Sequence, residues 1–573
     1  MPSDPVDPHS HDPRDRDSHG PSVESGADRL PGATEYLAAG AVPISADAPP
    51  RSRGRRGVLL AAVAVGVAGT MAVGGWAAMS LMAGGGQPAE AIPASAVGYA
   101  SIDLDPSAGQ KVEAFRMLRK FPAIEEELGL DVKDDLRRLI FDHSDLAACD
   151  GLDYAAEVEP WLGDRAAFAV LPGAEADTEP VPLVALQVTD EDAAAKGLER
   201  VAGCEGVDGE LGYAFTGGYA LLSDSTEHAE QAAADAEEGD LAGDPTFQRW
   251  TDELGDPGIV SMYAAPGAPE VFAHLQDAVL EEGVPGALEV EPMAAGLGGG
   301  GMDERLQQLA EDFKGAAAVV RFDDGTLETE LVAEGLPSEL GMEAGGTTAA
   351  HALPADTGLA LSIGLAEGWV DELLTALSGS MGGLSVDDLV AEAEAETGLS
   401  LPEDLESLLG EGVSIAVDAG VDVDALLESE DPSALPVGVR IQGDPDEILA
   451  VVDKLKAKIG PDAQMLVSAR GDGVVALALS QEYVDTLAAE GTLGEQDAFR
   501  AVVPDAERAS GLLFVDFDAG DGWLEKAADG LGSMFGGSPD PAVRENLKPL
   551  RAFGASGWTE GDVQHGLLRL TTE

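Results

Sequence analysis

The chain has 573 residues, 45% of them hydrophobic, with 72 glycines. At roughly 100–200 residues per domain there is room for about two to four cores, which excludes a mini-protein and a globally disordered chain. Its 106 acidic against 33 basic residues give a net charge of −73, a field that repels phosphate backbones and anionic headgroups and excludes nucleic acid as a partner.

Residues 1–50 hold nine prolines and no hydrophobic period, so 1–56 is expected to be a disordered cytoplasmic tail. Arg51, Arg53, Arg55 and Arg56 then precede an uncharged apolar run, residues 57–83. About 20 helical residues cross a bilayer, so the run is long enough to be a transmembrane helix with the membrane as its partner. The arginines stay inside by the positive-inside rule and place everything beyond the span outside the cytoplasm. Ala89-Glu90-Ala91 has the form of a signal-peptide cleavage site, but the apolar stretch exceeds the usual 7–15 or so residues of a signal peptide, which favours an uncleaved anchor. Ala62, Gly66, Thr70, Gly74 and Ala78 share one helical face. Such a small-residue stripe could pair two copies into a homodimer, though it arises easily in so Gly- and Ala-rich a segment.

Residues 84–91 read as a linker. Residues 1–56 hold 9 acids and 7 bases and 57–86 none, which leaves 97 acids and 26 bases, net −71, on 87–573. Cys149 and Cys204 are the two cysteines. On this topology both face an oxidising exterior and are disulfide candidates; the alternative is two buried thiols.

The remainder falls into two similar halves, 92–340 and 353–573. "IPASAVGYASIDLDP" (92–106) is matched by "LPADTGLALSIGLAEG" (353–368), and "WLGDRAAFAVLP" (161–172) by "LLGEGVSIAVDA" (408–419). "VPLVALQVTDEDAAAKGLERV" (181–201) is matched by "LPVGVRIQGDPDEILAVVDKL" (435–455), each a strand, an Asp at a helix start and an amphipathic helix. Four more pairs follow in the same order, ending with "FDDGTLETELVAE" and "TEGDVQHGLLRLTTE". Strand–helix units mixed with tight hairpins, such as Tyr213 to Ser223 through Gly217-Gly218, predict an α+β fold built by internal duplication, with mixed or antiparallel sheets and packed helices.

"GLDYAAEVEPWLGDRAAFAV" (151–170), with "DPSAGQKVEAFRMLRKFPA" (105–123) and "FQRWTDELGDPGIVSMYAAP" (247–266), resembles bacterial membrane-anchored proteins of the domain of unknown function 3352. The resemblance covers most of 90–573. It implies an exported or tethered module and carries no catalytic residues over.

Searched for chemistry, the chain shows no GxSxG elbow, no phosphate-binding GxxxxGK, no HExxH and no strand-linked GxGxxG. No catalytic residue, cofactor or metal site is predicted. Asp516, Asp518 and Asp521 in "DFDAGD" lack the Gly and Glu of an EF-hand and read as a strand end and turn. Two matched segments begin helices at Trp369 and Trp523 and end in Gly-Ser-Met loops at Met381 and Met534. These four residues are the candidates for lining an apolar groove; the plainer reading is core tryptophans followed by surface loops. The leading expectation is a non-enzymatic envelope module that binds or scaffolds another envelope protein. A carrier or sensor of an apolar ligand is the second reading and a hydrolase with an unrecognised site the third.

Overall fold

A computed structural model describes residues 87–573 apart from 104–107, 123–136, 139–140, 142–148, 150–151, 174–178, 204–210, 256–257, 272–309, 324, 337–341, 343–347, 372–373, 375–385, 421–435 and 521–544. Among the described residues, sixteen strands fall in two sets of eight. The first set is β1 (Gly98–Asp103), β2 (Leu162–Leu171), β3 (Val181–Val188), β4 (Gly212–Thr216), β5 (Tyr219–Ser223), β6 (Val260–Ala264), β7 (Gly315–Asp323) and β8 (Thr326–Glu334). The second is β9 (Thr357–Gly364), β10 (Gly412–Asp418), β11 (Val437–Gln442), β12 (Val467–Arg470), β13 (Val474–Ala478), β14 (Gly511–Asp516), β15 (Leu550–Glu560) and β16 (Val563–Thr572).

All sixteen belong to one sheet, in the order β12-β13-β11-β10-β9-β14-β15-β16-β8-β7-β6-β1-β2-β3-β5-β4. Read outward from the centre, the first set runs 8-7-6-1-2-3-5-4 and the second 16-15-14-9-10-11-13-12. Each strand of the second set thus holds the place of the strand eight before it. The two sets meet in a single antiparallel ladder, β8 on β16, from Leu327 opposite Leu570 to Glu334 opposite Val563. Of the two sheet types left open by the sequence, the antiparallel one is found throughout, and the halves share one sheet.

Among the described residues there are ten α-helices: α1 (Ala108–Leu118), α2 (Glu191–Ala202), α3 (Thr226–Glu238), α4 (Pro245–Leu254), α5 (Thr348–His351), α6 (Val386–Thr397), α7 (Glu403–Leu409), α8 (Pro445–Ile459), α9 (Gln481–Ala488) and α10 (Asp497–Val502). On what we call the front face, Ala232 of α3 and Trp250 of α4 pack with Tyr99, Leu183, Leu221 and Tyr263. Leu487 of α9 and Phe499 of α10 do the same with Ala360, Ala476 and Phe514. On the back, Met117 of α1 meets Val320 and Phe322, Leu198 of α2 meets Leu222, and Ile448 of α8 meets Ile441 and Val475. The period of two along each strand divides its residues between these layers.

Local chemistry sets the element ends. Asp190 Oδ1 accepts from Ala193 N at 3.0 Å and Asp444 Oδ1 from Asp446 N at 2.8 Å, so the two expected acidic helix starts are side-chain caps. The β4–β5 turn has φ of 57° at Gly217 and 82° at Gly218, the paired left-handed residues of a type I′ hairpin. At Gly554 of β15 a Cβ would stand 2.3 Å from the carbonyl oxygen of Val502, so a glycine is what lets α10 lie against the strand.

The tail, the apolar run 57–83 and Cys204 lie outside the described residues. Among those that are described, no helix is long and apolar enough to cross a membrane. Cys149 is half-buried and disulfide-bonded.

Candidate functional site

The centre of the sheet is different on its two faces. On the front, an ionic network crosses from one set of strands to the other. Glu328 of β8 is 2% exposed and accepts from Arg321 Nε at 2.8 Å and from Arg569 Nε of β16 at 2.6 Å. Arg321 also pairs with Glu330 through Nη2 at 2.5 Å, and Arg569 Nη2 lies 2.9 Å from Asp323. A carboxylate this deep is tolerable only with such charge-assisted partners.

These residues form the floor of a crevice of about 510 Å³ whose walls are Leu254 at the end of α4 and Pro504, Asp505 and Arg508 beyond α10. Trp558 lines it as well. Its ring stacks on His565 with centroids 5.1 Å apart, and the Arg508 guanidinium carbon lies 4.9 Å from its centre. In the first set's hairpin, Arg321 and Glu328 stand opposite each other two residues from the turn. Trp558 and His565 occupy the matching places in the second, so an ion pair in one hairpin is replaced by a ring pair in the other. The buried Trp558 Nε1, His565 Nε2 and Ser556 Oγ find no hydrogen-bond partner among the described residues.

On the back, the centre is apolar, and the described residues leave part of it exposed. One line of directly opposed residues runs Ile415–Leu361–Leu513–Ala555–Leu568–Thr329–Val320–Val260–Ile102, from β10 to β1. Residues facing one another across antiparallel strands share a face. At the β1 end, α1 covers the line. Toward β10 the described residues leave it partly exposed: Ile415 is 37% exposed, Leu361 43% and Leu568 40%. A neighbouring line places Gly511, Gly557 and Gly566 side by side, with exposed Leu331 against Gly566 and exposed Met342 over Gly511. An antiparallel sheet face left to water ordinarily alternates to polar residues; this one does not.

Residues 58–431 match the family model described as "Protein of unknown function (DUF3352)". The chain belongs to the DUF3352 family. The matched region of this DUF3352 protein starts within the apolar run and ends between β10 and β11. No curated protein and no solved structure matches the chain.

Of the groove candidates, Trp369 is 6% exposed and packs with Leu365, Val413 and Ile441, which makes it a core residue. Met381, Trp523 and Met534 lie outside the described residues. Asp516 accepts from Asp518 N at 3.0 Å and Ala519 N at 2.9 Å, the turn expected of it, and burial raises its pKa. Among the described residues no three His, Cys, Asp or Glu could together hold a metal ion. Sequence reasoning missed both central features. The apolar back was visible only as strands with apolar residues at both parities, such as "GLLFVD".

Proposed function

We propose that this DUF3352 protein is a single-pass, membrane-anchored extracytoplasmic module that binds or scaffolds another component of the bacterial cell envelope without catalysing a reaction. The observation that carries the reading is the apolar floor that the described residues leave exposed on the back of the sheet, since a contiguous exposed apolar surface marks an interaction site. The four arginines before residue 57 support the orientation. The shared strand order of the two sets supports descent by internal duplication, with α8 and Trp369 on the back of the second set over β10, β11 and β13.

Native purification of the full chain after mild cross-linking, followed by mass spectrometry of bound proteins and lipids, tests this. A stoichiometric envelope protein linked through β9, β14 or β16 is the expected result, and an intact protein recovered alone from the cytoplasm would overturn it. The carrier reading draws on the same floor; a single extracted apolar molecule in place of a protein would favour it.

A further inference from the structure

Resting on the reading of the back of the sheet as a binding face, we propose that its occupant is an amphipathic α-helix of another protein, apolar on one side and rich in Lys and Arg on the other. The shape is the first argument. The floor that the described residues leave exposed crosses six strands, β10-β9-β14-β15-β16-β8, and at about 4.8 Å per strand it is roughly 24 Å long. A helix of about 16 residues has that length. In the strand direction the floor is narrow, being two lines of side chains, and the row Gly511–Gly557–Gly566 forms a trough beside the Leu361–Leu513–Ala555–Leu568 ridge. Met342 lies over its Gly511 end, and large apolar side chains from a helix fill the remainder, over Gly557 and Gly566, because no Cβ stands there.

The second argument is a precedent within the molecule. On the same face and along the same line of opposed residues, α1 lays Ala114, Met117 and Leu118 on Ile259, Val260, Val320 and Phe322, with Leu327 and Leu570 at its margin. A helix lying over several strands is thus how this sheet covers its back where it is covered.

The third argument is charge. Residues 87–573 carry a net −71, which repels a second copy, an anionic helix and an anionic bilayer, and attracts and orients a cationic helix. An open strip also suits a helix better than a small apolar ligand, whose sites enclose most of its surface.

The test uses the full-length protein in phosphatidylcholine nanodiscs, footprinted with a small uncharged diazirine and read by mass spectrometry. The probes are an 18-residue Leu/Lys amphipathic helical peptide and its Leu/Glu counterpart. Ile415, Leu361 and Leu568 should label strongly in the free protein, fall at least fivefold with the Leu/Lys peptide and stay unchanged with the Leu/Glu peptide. In binding assays Leu361→Asp should weaken the Leu/Lys peptide at least tenfold. Attraction by charge alone would instead be strengthened by the added carboxylate. If that variant does not fold, Leu568→Asn at the other end of the ridge carries the same expectation, and the wild-type footprint needs no variant. Weak labelling in the free protein would defeat the binding-face reading itself. Strong labelling that the Leu/Lys peptide does not reduce would leave that reading standing and overturn the helix. Equal protection by both peptides, or protection that grows with protein concentration alone, would also overturn it.

Discussion

Arg569 of β16 donates from Nε to Glu328 of β8 at 2.6 Å, across the one ladder that joins the two sets of strands. Arg321, from the first set, holds the other carboxylate oxygen. Removing one member of a buried charge network strands the others without compensation, at about 3–5 kcal/mol. Glu328→Ala should therefore lower the chemical-denaturation midpoint by an amount equivalent to about 3 kcal/mol or more. Arg500→Ala removes an ion pair with Asp497 whose two side chains are 55% and 90% exposed, and should cost less than about 1 kcal/mol. Equal effects of the two would show that the seam is not clamped by Glu328.

Ser362 and Ser414 are both fully buried, and their hydroxyls lie 2.6 Å apart between β9 and β10. Ser414→Ala should cost about 1–3 kcal/mol because it leaves the Ser362 hydroxyl dry and unbonded. The Ser362→Ala/Ser414→Ala double variant should recover much of that loss. Additive losses in a double-mutant cycle would contradict this.

Two aspartates should respond to pH in opposite senses. Burial raises the pKa of Asp418, so the folded state disfavours its charge. The stability associated with it is present below the ordinary value of 3.8 and is lost as pH rises through the folded value. Asp418→Asn should then raise the thermal midpoint at pH 7 and not at pH 3, since Asn can still accept from Gly420 N as Asp418 does at 2.7 Å. Asp404 is held below its ordinary value by the Lys454 ammonium, 2.6 Å away, and by the Ser400 amide. Its contribution is present above 3.8 and fades as pH falls through the lower folded value, so Asp404→Asn should lower the midpoint at pH 7 and lower it progressively less as the solution is acidified below 3.8. Melting curves of both variants across pH check the signs.

Cys149 is disulfide-bonded, and the chain holds one other cysteine, Cys204. Closing a loop of that length stabilises by about 4 kcal/mol in the chain-entropy account. Both thiols should resist alkylation in the native protein until a reductant is added, and reduction should lower the thermal midpoint. Immediate labelling of both would contradict the pairing.

Features that depend on near neighbours in sequence were legible. The Asp190 and Asp444 caps, the Gly217-Gly218 hairpin and the Asp516 turn each rest on residues within about four positions. Paired stretches such as "VPLVALQV" and "LPVGVRIQ" fall on β3 and β11, strands with the same place in each set. The seam was not legible. Arg569 and Glu328 are 241 residues apart, and in a chain with 106 acids nothing marks one Glu as the buried partner of two arginines. Nor could the pattern around Leu361 say whether its apolar side was covered, because that depends on where helices such as α1 stop. Trp369 shows the converse: an aromatic at a helix start looks alike in a core and at a groove.

The last strand in chain order, β16, lies at the middle of the sheet and not at its edge. A ribosome delivers β8 more than 200 residues before the strand that pairs with it. Until then β8 presents an unpaired edge, the kind of surface that templates misassembly. Loop closure over that separation must be completed before the central ladder rewards it, so the joining of the two sets should be a late and slow step of folding. Trimming the chain before residue 563 should therefore leave the first eight strands with that edge open and prone to aggregate, and should not merely shorten the sheet by one strand.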